Sequence, residues 1–266
     1  MRTNLRISIL DSDGEKITVN MTLKKIQVLT QFKIKELLKN KTFIIGLILP
    51  LVMVLAYKYG LNSILSTRDS EAVGFALILK LGILLSLSML TLTMPATLIA
   101  KDKEKNTLRV LMTSSISGFE YFMSIIIPVV IITMFVNILI LILSGISLAN
   151  VNLFIYTVVI ILGSIAMAIV GMIVGIFSKN QMSASNNMVF FMMIFMMIPM
   201  FSDLVEQIAP LNNLLFTGVI AKMATNIAYG KKQLLVSTDW LVLLISCVLF
   251  GIVFLLIYKR TGLERE

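Results

Sequence analysis

Histidine is absent from this 266-residue chain, and cysteine occurs only once, as Cys247. A single cysteine cannot form a disulfide within the chain, and without histidine there is no imidazole to act as acid, base or metal ligand. One thiol alone cannot complete the coordination of a metal ion. We therefore expect no metal site and no cofactor on this chain.

The sequence motifs of nucleotide hydrolysis and of common hydrolases are also missing. The phosphate-binding pattern G-x-x-x-x-G-K-[ST] does not occur, and Gly230-Lys231-Lys232 lacks both the upstream glycine and the following hydroxyl residue. Neither H-E-x-x-H nor G-x-S-x-G is present. We predict that the chain is not itself an enzyme.

Charged residues are scarce, at 14% of the chain, whereas hydrophobic residues make up 58%. A helix needs roughly 20 apolar residues to cross a bilayer, and in lipid a helix satisfies all of its backbone polar groups internally. The sequence therefore predicts an all-α membrane protein with six transmembrane helices. The apolar runs are 42–59, 73–99, 122–146, 152–177, 186–201 and 239–258.

The net charge of +9 is distributed unevenly between the segments that join these runs. If six helices cross and both termini are cytoplasmic, most lysines and arginines lie on the cytoplasmic side, as the positive-inside rule expects. The basic residues then set the orientation in the cytoplasmic membrane, and we expect no nucleic-acid partner.

Residues 1–21 are predicted to form an N-terminal extension, and residues 22–41 an amphipathic helix that precedes the six-span domain, 42–266. Within the extension, residues 5–9 and 17–19 have the composition of two short strands around a turn, although a hairpin of two strands is marginal alone in water. We expect the helix at 22–41 to lie in the membrane interface. The alternative is a solvated basic segment that only sets orientation.

The stretch 211–229 is mildly apolar and lies between the last two runs. A seventh crossing there would place Lys259 and Arg260 outside, against the charge rule. We therefore predict an external re-entrant segment or an external pair of amphipathic helices.

A charged segment, Lys101-Asp102-Lys103-Glu104-Lys105-Asn106-Thr107-Leu108-Arg109, separates the second and third runs and must lie in water. Together with Thr113-Ser114-Ser115-Ile116, its Glu104–Leu108 part resembles the E-K/R-x-G-T-L-E-x-L-L-x-T-P-I stretch of ABC type-2 transporter permeases. Asn106 stands near the usual glycine, Arg109 replaces a common acid, and Ser115 replaces the usual proline. The resemblance covers most of the chain, including the basic helix before the first span.

This resemblance implies that the segment forms a cytoplasmic coupling helix, which contacts a soluble ATP-binding-cassette subunit that binds ATP and Mg²⁺. It also implies a second permease, identical or homologous, beside this one. The implied coupling residues are Lys103, Glu104, Thr107, Leu108 and Arg109. The alternative for the segment is a loop that merely obeys the charge rule.

The expected function is export of an amphipathic peptide or a hydrophobic drug-like compound. Lys80 and the methionines of the fifth run, Met193 and Met197 among them, are candidates to line the cargo path, because flexible thioethers accept varied apolar shapes. Lys80 either faces a polar cavity or ends a span that begins near Leu81, and the methionines can equally be fillers of a lipid-facing helix.

Two other classes of function stay open from the sequence. The runs carry no acidic residue except Asp239 at the edge of the last, which disfavours an ATP-independent secondary transporter or channel driven by an ion gradient. Backbone carbonyls can nevertheless hold Na⁺ at broken helices. The third class is a membrane scaffold or immunity protein that transports nothing.

Overall fold

The computed structural model describes residues 14–62, 68–108, 110, 116–148 and 151–261, and these residues are almost entirely helical. In this part of the chain six helices are long and apolar enough to cross a membrane, as the sequence predicted. We call them spans 1 to 6: Lys41–Gly60, Ala72–Glu104, Gly118–Ser144, Leu153–Phe177, Gln181–Phe201 and Ser237–Arg260.

Two spans extend five residues past one end of the apolar runs that predicted them. Span 2 continues through Glu104, so residues 101–104 form the last turn of a helix and not the start of a loop. Span 5 begins at Gln181 and not near residue 186, because Asn180 caps a polar first turn that hydropathy does not detect. That turn gives span 5 the length that its apolar run lacked.

The N-terminal helix, Gly14–Leu38, begins earlier than predicted and includes residues 17–19. The prediction of a second strand at residues 17–19 is therefore wrong. The first predicted strand, residues 5–9, lies outside the described residues. Two strands without a sheet to extend are marginal, whereas the helix gains packing contacts with span 3. Its packed face is centred on Lys33 and Leu37, while Leu23 and Leu38 are exposed. Its location in the membrane interface stays a prediction.

Spans 2 and 4 approach closely through glycine. A β-carbon on Gly171 would collide with the carbonyl oxygen of Leu92, and one on Gly175 would lie 2.8 Å from that of Ala96. The Gly-x-x-x-Gly pair of span 4 thus packs inside the subunit, as small residues do between membrane helices. Opposite it, span 2 contains a π-helical turn, Leu87–Leu92, which widens the helix at the contact.

Two short helices, Ala209–Leu214 and Phe216–Ala228, follow span 5. The second, which we call the distal helix, packs on the Lys80 half of span 2. Its 13 residues extend for roughly 20 Å, less than the ~30 Å of hydrocarbon in a bilayer, so it is too short to cross. This agrees with a non-crossing pair, and whether the pair enters the bilayer stays a prediction.

Candidate functional site

The last turn of span 2, Lys101–Glu104, contacts four other parts of the chain. Successive residues of an α-helix point about 100° apart, so four consecutive side chains project in four directions. Together these four charged side chains have polar partners on the N-terminal helix, on span 3, at the end of span 4 and at the beginning of span 5. We call this turn the charged end of span 2.

Asp102 and Lys33 form a buried ion pair between span 2 and the N-terminal helix. The Lys33 ammonium lies 2.6 Å from Asp102 Oδ2, and the Tyr121 hydroxyl donates to the same oxygen at 2.6 Å. The side chains of Lys33 and Asp102 are 2% and 6% exposed, and Tyr121 is fully buried. A buried charge pair is held in place when further hydrogen bonds complete its surroundings, and Tyr121 supplies one from span 3.

Glu36 extends this network along the N-terminal helix. Its carboxylate lies 2.8 Å from the Lys101 ammonium and 3.1 Å from that of Lys33. Burial acts to raise the pKa of Glu36, but the hydrogen bond from Lys101 and the charge of Lys33 outweigh it and lower the pKa. Glu36 is therefore ionised at neutral pH, and the network contains two carboxylates and two ammonium groups.

Lys103 binds the end of span 4. Its ammonium donates to the carbonyl oxygen of Ile176 at 2.5 Å and to that of Ser178 at 2.9 Å. The last carbonyls of a helix have no partner within the helix and carry partial negative charge, so a lysine there is favourable. The contact joins span 2 to the carboxyl end of span 4.

Glu104 binds the beginning of span 5. Its carboxylate accepts a hydrogen bond from the backbone N–H of Gln181 at 3.1 Å. Gln181 is the first residue of span 5, where N–H groups are unpaired and an anion is favourable. The neighbouring Asn180 side chain accepts from Ser183 N–H at 2.8 Å, so two acceptors share this helix end.

The chain turns away from span 2 at Asn106, whose φ is +56°. This left-handed conformation favours glycine, and asparagine tolerates it better than most residues do. Asparagine can therefore replace the glycine that the ABC type-2 permease motif usually has near this position, because both residues tolerate a positive φ. Thr107 and Leu108 then begin a short helical turn, in which Val110 N–H donates to the Asn106 carbonyl at 3.3 Å.

Leu108 is buried at 2% exposure, whereas Lys105, Asn106 and Val110 are exposed. Arg109 and residues 111–115 lie outside the described residues, so the predicted coupling helix stays a prediction beyond this turn. Span 3 begins after Ser117, whose hydroxyl accepts from Glu120 N–H while the Glu120 carboxylate accepts from Ser117 N–H. This capping box fixes the direction in which the chain returns.

Lys80 lies near the opposite end of span 2. Its ammonium is 2.8 Å from Asp203 Oδ2, and both residues line a polar cavity of about 210 Å³ beside the distal helix. Counted from Lys101 at about 1.5 Å per residue, Lys80 is roughly 31 Å away, which is about one hydrocarbon thickness. This distance favours the alternative in which the membrane-embedded part of span 2 begins near Leu81.

A second ion pair borders the same cavity. The Lys222 ammonium of the distal helix lies 2.9 Å from Asp239 Oδ1, and Asp239 also accepts from Val236 N–H at the start of span 6. Met193 and Met197 do not line the cavity, and both are exposed on span 5. The structure therefore separates the three candidate path residues into a polar cavity and an apolar surface.

Sequence reasoning did not identify Lys33, Glu36, Asp102, Tyr121 and Asp203 as site residues. Lys33 looked like one of many solvated lysines, and Asp102 like part of a solvated loop. The available signal was the presence of both lysines and carboxylates in these segments. A buried lysine is usually paired with a carboxylate, so such residues are candidates for ion pairs between helices.

Six crossing helices, held together at one end by buried charges, define a multi-pass membrane protein. The model of the family described as ABC-2 family transporter protein matches residues 8–256, so the chain belongs to the ABC-2 family of transporter proteins. This confirms the resemblance to ABC type-2 permeases. No curated protein matches the sequence.

Proposed function

We propose that this chain is the membrane-spanning permease subunit of an ABC exporter in the cytoplasmic membrane. It moves an amphipathic peptide or a hydrophobic drug-like compound with ATP and Mg²⁺ bound to separate ATPase subunits. It works beside a second permease, identical or homologous, and both of its termini are cytoplasmic. Family membership supports the class of protein, and the substrate and direction are our proposal.

The anchoring of the charged end of span 2 is the observation that carries the coupling proposal. The turn from Lys105 to Val110 exposes three side chains and is mounted on a helix end bonded to the N-terminal helix and to spans 3, 4 and 5. A soluble subunit that presses on this turn displaces several helices together. Lys103, Glu104, Thr107, Leu108 and Arg109 form this coupling site, and Leu108 anchors it to the core.

The opposite end supports a route for an amphipathic cargo. The polar cavity that contains Lys80 suits charged or hydrogen-bonding groups, and the exposed Met193 and Met197 suit apolar ones. With one tryptophan and six tyrosines in the chain, there are few aromatic platforms of the kind that bind sugars.

Affinity purification in mild detergent tests the proposal most directly. We expect a P-loop ATPase to copurify, and vesicles that contain the complex to take up a fluorescent hydrophobic dye only with ATP. An ATP-independent secondary transporter or channel would carry dye without nucleotide. A scaffold or immunity protein would bring down no ATPase and carry no dye.

A substitution at the exposed turn tests the coupling site itself. Thr107→Arg places a long charged side chain where we propose contact with the ATPase, so dye-stimulated ATP hydrolysis should fall while the permease still folds. Thr107→Ser keeps the hydroxyl and should retain stimulation. Equal stimulation in both variants would contradict a contact at Thr107.

A further inference from the structure

We propose that Lys103 and Glu104 are positioning residues that pass movement of the coupling turn to spans 4 and 5, and that they do not bind the ATPase. This inference rests on the proposed function, since it concerns how a permease uses a push from its ATPase. It assigns different roles to neighbouring residues of one motif: the exposed turn receives the push, and the two residues before it transmit it.

The side-chain contacts of the two residues carry this assignment. Lys103 donates to two backbone carbonyls at the end of span 4, and Glu104 accepts a backbone N–H at the beginning of span 5. Both are charge-assisted bonds to helix ends, which are stronger than bonds between neutral groups. The Lys103 ammonium is thereby committed to span 4, and one oxygen of the exposed Glu104 carboxylate is committed to span 5.

The linker between spans 4 and 5 allows little independent movement. Only residues 178–180 separate the two helices. Ser178 is fully buried, its hydroxyl donates to the Val174 carbonyl at 2.7 Å, and the Asn187 amide donates to that hydroxyl at 3.3 Å. A displacement of the charged end of span 2 therefore reaches span 5 with little loss in the linker.

Span 5 is the helix that such a displacement moves most easily. Only 22% of its most apolar window is buried, against 72% for spans 2 and 4. Few packing contacts within the subunit resist a shift of span 5, whereas span 4 is held by Gly171 and Gly175 against span 2. The push thus arrives at the helix that carries Met193 and Met197.

We call this transmission of movement from the charged end of span 2 to span 5 the relay. Replacement of Gln181 tests the relay without altering the coupling turn. Gln181→Pro removes the N–H that binds Glu104, and proline is favoured at the first residue of a helix. The preceding Asn180 has φ −150° and ψ 174°, which is compatible with a following proline. Gln181→Ala removes the side chain but keeps the N–H, so it is the matched control.

The readout is a cysteine in the turn just after the far end of span 5, in the permease–ATPase complex reconstituted in nanodiscs. Leu204→Cys, in a Cys247→Ser background, places a thiol at a residue that is 77% exposed. We expect its labelling rate with fluorescein maleimide to differ between the nucleotide-free and the ATP–vanadate-trapped complex. The difference should be retained in Gln181→Ala and lost in Gln181→Pro, while both variants still copurify the ATPase.

Glu104→Ala should lose the nucleotide-dependent difference as Gln181→Pro does, and Glu104→Gln, which keeps an acceptor oxygen, should restore part of it. The relay is wrong if Gln181→Pro keeps the full difference, or if Glu104→Ala alone abolishes copurification of the ATPase. If no ATPase copurifies with the unsubstituted chain, the proposed function fails and not the relay alone.

Discussion

Two lysine–aspartate pairs lie at opposite ends of span 2, and they differ mainly in how far water reaches the aspartate. Lys33 and Asp102 are 2.6 Å apart, and Lys80 and Asp203 are 2.8 Å apart, so their geometry is nearly the same. Both lysines are buried, but the Asp102 side chain is 6% exposed, whereas that of Asp203 is 64% exposed and borders a cavity. Similar distances therefore hide a large difference in electrostatic environment.

This difference assigns the two ends different tasks. In a dry site an ion pair is strongly felt, and removal of one partner leaves an expensive unpaired charge. In a wet site, where one partner is exposed, water competes for that partner, and the pair contributes less to stability. The charged end is built as a joint between helices, and the Lys80 end is built as an open polar surface.

The largest expected effect is at the dry pair. Asp102→Ala should lower the free energy of unfolding by about 3 kcal/mol, because the buried Lys33 then keeps only the Glu36 carboxylate, which it shares with Lys101, and Tyr121 loses its acceptor. Unfolding of the purified protein by sodium dodecyl sulfate, followed by circular dichroism, measures the change. The combined variant Lys33→Met, Asp102→Leu, Tyr121→Phe should recover most of the loss. Equal destabilisation of both variants would contradict a dry ion pair.

A smaller effect is expected where span 4 packs beside the charged half of span 2. Gly171→Ala should destabilise by about 1–3 kcal/mol in the same assay, because its methyl group meets the Leu92 backbone and the helices must separate. Gly251→Ala is the matched control, since no atom lies within 4 Å of its added β-carbon. A Gly171→Ala variant as stable as the control would show that this contact is loose.

The smallest effect is expected at the wet pair. Asp203→Asn should lower the free energy of unfolding by about 1 kcal/mol, because the exposed Asp203 carboxylate is already partly solvated, and the asparagine amide oxygen still offers an acceptor to the buried Lys80 ammonium. The same unfolding assay checks the value. A loss comparable to that of Asp102→Ala would mean that the cavity is dry, and the contrast between the two ends would fail.

Much of the architecture follows from local properties of the sequence. The six spans and the absence of a seventh crossing at 211–229 were predicted, because hydropathy acts over short segments. The expected strand at 17–19 was wrong, since β-branched composition is a weak preference that helix packing overrides. The loop expected to begin at Lys101 begins only after Glu104, because charged residues can extend a helix beyond the hydrocarbon.

The site was harder to predict, because its contacts join distant parts of the chain. Lys33 and Asp102 are 69 residues apart, and Lys80 and Asp203 are 123 residues apart. The sequence shows which side chains are charged, but it does not show which of them come into contact in the fold. The resemblance implied a coupling role for Lys103 and Glu104, but no sequence pattern indicates that their bonds are to the backbone of residues 176–181.

The sequence alone determined that the chain crosses a membrane as helices, because apolar runs in lipid must pair their own backbone groups. It also indicated which segment between spans 2 and 3 lies outside the hydrocarbon, because adjacent charges are too costly there. Only the tertiary structure decided which charges are buried and paired. Burial depends on the packing of helices that are remote in sequence, and the strength of a charge interaction depends on that burial.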